Sequence, residues 1–140
     1  VNVTRAIFVS CDTYFYNLAT KVGIRAISDM MRQFGFGKAT GIEMKEESAG
    51  LVPTPEWKRR TYHQPWYPGD TVITGIGQGF SLVTPLQLAG ATAALANRGK
   101  RFQIHLLSYR KNDNGKVTPY IPQALASVNY PQHAWDTVFE

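Results

Sequence analysis

Ser10, Cys11 and Asp12 open the stretch Ser-Cys-Asp-Thr-Tyr-Phe-Tyr, which sets a hydroxyl and a carboxylate on either side of the chain's only cysteine. A serine performs acyl transfer only when a neighbour takes its proton, usually a lysine one helical turn away or a histidine within hydrogen-bond reach. Neither lies near Ser10 in sequence. A Ser-His-Asp arrangement is spatial, so Ser10 and Asp12 with His63, His105 or His133 stays open, although no spacing favours it and no nucleophile elbow occurs. One literal Ser-x-x-Lys, Ser108-Tyr109-Arg110-Lys111, falls at the end of an expected strand, where residues three apart face opposite ways, and reads as chance.

A single cysteine cannot close an internal disulfide, which leaves Cys11 buried, metal-bound or reactive. Cys11, Asp12 and the distant histidines lack the paired short spacings of a self-contained zinc site, so the chain alone is expected to be metal-free. Gly75-Ile76-Gly77-Gln78-Gly79 superficially resembles a phosphate cradle. It lacks the preceding strand and the lysine and hydroxyl of a nucleotide loop, so the glycines are read as backbone that something approaches closely.

The elements that must position Ser10 and Asp12 are helices. Residues 1–9 read as a short helix with Asn2 as N-cap. Cys11, Phe15, Leu18, Ala19 and Val22 then recur at helical intervals, which turns Cys11 inward, and Gly23 ends that helix. A second helix, with Ile27, Met30, Met31 and Phe34 buried, is expected to lie antiparallel to the first. Residues 38–53 read as an extended connection with one short strand. Thr54-Pro55-Glu56 starts a helix through Arg60 whose outer face is basic, and the segment from Tyr62 to Asp70 reads as an irregular loop pinned by its own rings. Thr84-Pro85-Leu86-Gln87 carries a capping box and opens a helix to about Asn97, stopped by Gly99, whose small residues let neighbours pack on several sides. Phe102–Tyr109 and Lys116–Ile121 flank Asn112-Asp113-Asn114-Gly115 as a hairpin. Trp135, Val138 and Phe139 begin another helical pattern with no stop signal after it, an expectation that the domain continues past residue 140.

The 140 residues, 44% hydrophobic and 18% charged, suffice for one domain with an apolar core. Fifteen basic residues against 10 acidic ones raise the question of nucleic acid, but they are scattered. The densest cluster, Lys58-Arg59-Arg60, is expected to be a solvated helix face, and no nucleic-acid partner is expected. No apolar run approaches the length of a membrane span and no secretory leader opens the chain, so the protein is either cytoplasmic or targeted by a segment outside these residues.

Several of these motifs together resemble a known family. The Ser10–Tyr16 stretch, Gly35-Phe36-Gly37, Thr40-Gly41-Ile42, Pro65-Trp66-Tyr67-Pro68-Gly69-Asp70, the glycine segment 75–79, Thr84-Pro85-Leu86-Gln87-Leu88 and Ala96-Asn97-Arg98-Gly99 occur in the order seen in transpeptidase domains of elongation-type class B penicillin-binding proteins. The resemblance implies a mainly α piece with a small β-hairpin, residues 1–140 forming part of the α+β fold of penicillin-binding proteins and β-lactamases. It also implies a serine D,D-transpeptidase that cross-links peptidoglycan stem peptides through an acyl-enzyme and is acylated by β-lactams.

By matching positions, Ser10 is the second-motif serine, a proton relay between catalytic lysine and leaving group. Asp12 takes the place of the motif's asparagine, which orients lysine and substrate. Gln78 either borders the cleft or is a turn residue. The first motif, Ser-x-x-Lys on a helix, is expected before residue 1, and the third, Lys-[Ser/Thr]-Gly, after residue 140. The isolated chain is therefore expected to be inactive toward penicillin, and to self-associate or be marginally stable through surface meant to pack elsewhere. Catalysis needs no cofactor. The resemblance further implies that Cys11 is a structural zinc ligand in the full-length protein, that the cell-elongation machinery is a partner, and that the parent is periplasmic and held in the inner membrane by an N-terminal helix. A carboxypeptidase or β-lactamase of the same fold, or a non-catalytic cell-wall assembly module, are the alternatives.

Overall fold

The computed structural model describes residues 2–139. Helix α1, Val3–Phe8, starts as expected at Asn2, whose side chain accepts the Arg5 amide at 2.9 Å. Helix α2 is Asp12–Val22 and α3 is Ile24–Gln33, so Gly23 alone joins them. Its φ of 81° and ψ of 153° suit a residue without Cβ. A helical hairpin ordinarily needs about two to five connecting residues. Helix α2 touches α3 and packs more extensively on a later helix, α5 (Pro68–Thr74).

Helix α3 buries Ile24 and Ser28, with Ile27 and Met31 half-buried beside them, while Met30 is exposed, contrary to expectation. Ser28 Oγ donates to the Pro53 carbonyl at 2.7 Å and ties α3 to the connection that follows. Within that connection the Glu47 carboxylate accepts the Thr40 and Gly41 amides at 2.7 and 2.9 Å, and Leu51 pairs with Leu82 as an isolated bridge.

Helix α4, Pro55–Tyr62, is capped by Thr54, whose hydroxyl accepts the Trp57 amide at 3.1 Å. Its basic cluster divides. Arg59 and Arg60 are exposed, whereas Lys58 is buried and ion-paired with Asp70. The segment expected to be irregular through Asp70 instead starts α5 at Pro68: Tyr67 is the N-cap, and the Asp70 side chain accepts the Tyr67 amide at 2.8 Å. Proline at the first helical position and an acid in the first turn are ordinary start signals.

Helix α6, Pro85–Ala96, has the expected capping box, with Thr84 and Gln87 each accepting the other's amide at 3.1 Å. The Gln87 amide group also donates to the Lys38 and Ala49 carbonyls, which holds the 38–50 connection against the helix. Only one face is buried, through Gln87, Ala91 and Ala94; Leu88 and Leu95 on the other are exposed. The helix is thus covered on one side within these residues, not on several.

Two small antiparallel sheets follow. Strands β1 (Arg101–Phe102) and β4 (Ala124–Leu125) pair in one, and β2 (Tyr109–Lys111) and β3 (Val117–Pro119) in the other. The second is the expected hairpin around Asn112–Gly115 with shorter strands, since residues 103–108, expected as strand, are irregular; the first sheet has no counterpart among the expected elements. Helix α7, Gln132–Phe139, buries Trp135 against Gly99, where any side chain would collide with the Val128 carbonyl. Among the described residues no helix is long and apolar enough to cross a membrane.

Candidate active site

The corner between α1 and α2 places Ser10 and Asp12. The Cys11 amide donates to the Ala6 carbonyl at 2.8 Å and the Ser10 amide to the Ile7 carbonyl at 3.2 Å. These are the two bonds of a Schellman motif, whose αL position is usually glycine. Helix α3 ends in the same way and does use glycine there, Gly35, with φ of 99°. At α1 the position is Ser10, with φ of 50° and an exposed side chain. Among the described residues Glu46, His63 and Arg98 are the other non-glycine residues at positive φ, a conformation uncommon for a residue with a Cβ.

Asp12 is the first residue of α2, exposed, and its negative charge sits at the positive end of the helix. Cys11, the half-buried N-cap between them, makes no side-chain cap bond. Of the stripe expected to face the core, Ala19 is buried and Cys11 and Phe15 are half-buried, whereas Leu18 and Val22 are exposed. Among the described residues no group of three or more His, Cys, Asp or Glu side chains could hold a metal ion. A structural zinc site takes four ligands, so these residues alone do not fit one.

The histidines do not complete a triad. His63 is the exposed cap of α4, His133 is exposed in α7, and His105 lies against the Tyr120 ring, 4.0 Å between centroids, with Nδ1 2.9 Å from the Leu107 carbonyl. Among the described residues no hydrogen bond joins any of them to Ser10 or Asp12. Ser108 and Lys111 lie on the exposed edge of the hairpin, as a chance match should.

The glycine segment follows helix α5, not a strand, which removes the phosphate-cradle reading. What approaches it is α2. A Cβ on Gly75 would overlap the Ala19 side chain and lie 3.3 Å from the Phe15 carbonyl. The turn is thereby pressed onto the helix that Ser10 and Asp12 head. Gln78, at its tip, is exposed and donates its backbone amide to the Ile73 carbonyl at 3.2 Å.

The anchor of this turn joins residues that no local sequence pattern links. Lys58 Nζ lies 2.6 Å from Asp70 Oδ2, with the Tyr67, Phe80 and Trp66 rings around the ammonium, their centroids 4.7, 5.4 and 6.0 Å away. The legible signal was Asp70 two residues after Pro68, the acid of a capping box.

The family model of the penicillin binding protein transpeptidase domain matches residues 1–134, and the chain belongs to that family. Its relatives include proteins of the penicillin-binding protein 2 type. It is 52% identical over 107 residues to the peptidoglycan D,D-transpeptidase MrdA of Acinetobacter baumannii, covering 76% of this chain and 16% of that protein. The crystal structure of Pseudomonas aeruginosa PBP2 in complex with WCK 5153 is 42% identical with a TM-score of 0.84, covering 99% of this chain and 31% of that one. PBP2 of Helicobacter pylori, in its complex with MreC, is 36% identical with a TM-score of 0.73, covering 85% and 22%. The mainly α fold with small sheets is thus part of the penicillin-binding-protein fold, and the chain spans less than a third of these relatives.

Proposed function

We propose that this chain is the second-motif part of a peptidoglycan D,D-transpeptidase. The observation that carries the reading is Ser10, held in a glycine-type conformation at the head of α2 with its hydroxyl exposed. In the reaction, a serine outside these residues attacks the penultimate D-alanine carbonyl of a stem peptide. The bond to the terminal D-alanine breaks, and Ser10 relays the catalytic lysine's proton to the departing amine. Asp12 orients lysine and substrate, and Gln78 borders the cleft. An amine of a second stem then takes the acyl group.

The family match, and relatives named as D,D-transpeptidases, support this reading. β-Lactams and stem peptides are the proposed ligands. The elongation machinery is the proposed partner, a reading supported by the MreC complex of the Helicobacter relative. The full protein is proposed to be periplasmic, held in the inner membrane, and active in maintaining cell shape. No cofactor takes part. Cys11 contributes one zinc ligand at most, with the others from outside this chain; equal zinc content in the full-length protein with and without Cys11→Ser would remove even that.

The test is acylation by a fluorescent penicillin. The full-length protein should label, and the isolated 140-residue chain should not. Ser10→Ala should slow acylation by about 100-fold or more, the lower range for a proton relay. Asp12→Asn restores the family's usual residue and should stay within about tenfold of the parent. Unchanged labelling of Ser10→Ala would sink the assignment.

A further inference from the structure

Lys58 is among the most buried charged side chains of the described residues, and its neighbours come from both ends of one loop. Tyr67 and Asp70 belong to the loop's outgoing foot, Phe80 to its returning foot. The Tyr67 and Phe80 rings both face the ammonium within the range of cation–π attraction. Phe80 also packs edge-on against Trp57 of α4, with centroids 5.2 Å apart. Asp70 Oδ2 accepts both Lys58 Nζ and the Tyr67 amide, so the ion pair and the cap of α5 share one oxygen.

Between the feet, α5 and the turn 75–79 run out to α2. The Gly77 amide donates to Thr74 O at 2.9 Å and the Gln78 amide to Ile73 O, so the turn is continuous with the helix and follows it rigidly. The excursion from Tyr67 to Phe80 is a compact loop with its ends together, cross-linked at the base by a single ammonium. It meets the second-motif helix at Gly75, the C-cap of α5, which lies against Phe15 and Ala19.

We propose that Lys58 is a positioning residue for the transpeptidase reaction: by joining both feet of the 67–80 loop it fixes Gly75 against α2, and so the placement of the second motif and of Gln78 beyond that contact. This rests on the function proposed above. It touches no substrate. Its loss should therefore leave the first, non-covalent encounter with a β-lactam nearly intact and slow the covalent step, where alignment of the second motif matters.

The experiment is stopped-flow acylation of the full-length enzyme by a fluorescent penicillin, resolving the non-covalent dissociation constant from the acylation rate constant. Lys58→Met keeps the stem and removes the charge. It should lower the rate constant tenfold or more and change the dissociation constant less than threefold. Ser28→Ala, which breaks the buried bond to Pro53 without touching the loop, is the control: it should lower the melting temperature and keep the rate constant within twofold. If Lys58→Met fails to fold, Asp70→Asn, which keeps an acceptor for the Tyr67 amide, becomes the deciding variant and should slow acylation at least threefold. A parental rate in the deciding variant, or an equal loss in Ser28→Ala, overturns the proposal. Failure of the parent enzyme itself to label would instead overturn the underlying transpeptidase reading.

Discussion

Gly75 shows how one missing side chain sets the distance between two helices. Because α2 runs directly over it, with Ala19 where a Cβ would go, α5 and the turn after it approach α2 more closely than any other residue would allow. Gly75→Ala should push the two apart, at a cost of about 1–3 kcal/mol by the usual scale of overpacking. Thermal or urea unfolding of the folded domain measures this; an unchanged midpoint would mean that the contact is slack. At this scale Ser10 and Asp12 were legible as a pair, because they sit together in sequence. The reason for a serine at φ of 50° was not legible, since it depends on how α1 ends. Lys58 read as one member of a solvated cluster for a related reason: the acid and rings that bury it come from separate stretches, and no local pattern announces them.

At the scale of elements, local signals did best. Asn2, Thr54 and the Thr84–Gln87 box each act within one helical turn, and each starts the helix that the sequence announces. Helix α5 escaped because its cap is a tyrosine and its first turn includes Gly69, so the aromatic and proline content masked the start signal. The pairing of β1 with β4 escaped because it joins strands of two residues each across the whole hairpin. The 40–47 connection carries a pH-dependent element. Hydrogen bonds from Thr40, side chain first and backbone next, and from the Gly41 amide hold the Glu47 carboxyl below the usual glutamate range. A lowered value in the folded state means stability that is present above about pH 4.5 and lost as pH falls through the folded value. The melting temperature of the parent should therefore fall more steeply on acidification below that pH than that of Glu47→Gln. Parallel curves would show that the tether does not contribute.

For the whole molecule, surface area carries the information. The chain exposes 10,008 Å² for 15.6 kDa, against about 7,300 Å² expected of a compact monomer of that mass. Large apolar side chains are among those exposed: Phe8 is 87% exposed and Ile7 65%, with Leu88 and Leu95 along α6. Patches of this kind belong against other protein. The isolated chain should accordingly show concentration-dependent association in sedimentation and bind a dye that reports exposed apolar surface. A monomer at high concentration, with a sharp unfolding transition and no dye binding, would contradict this. The hairpin and the family were readable from sequence. The one-sided burial of α6 was not, because its small residues permit close neighbours without saying whether this chain supplies them.

The left-handed backbone at Ser10 also governs which replacements natural variation can sample there. Threonine preserves the hydroxyl, but its branched Cβ is poorly tolerated at positive φ, whereas glycine relaxes the backbone and discards the hydroxyl. Chemistry and conformation thus reject opposite neighbours of serine. Under the transpeptidase function proposed above, substitutions that relieve β-lactam pressure should gather at positions around residue 10 and not at residue 10 itself.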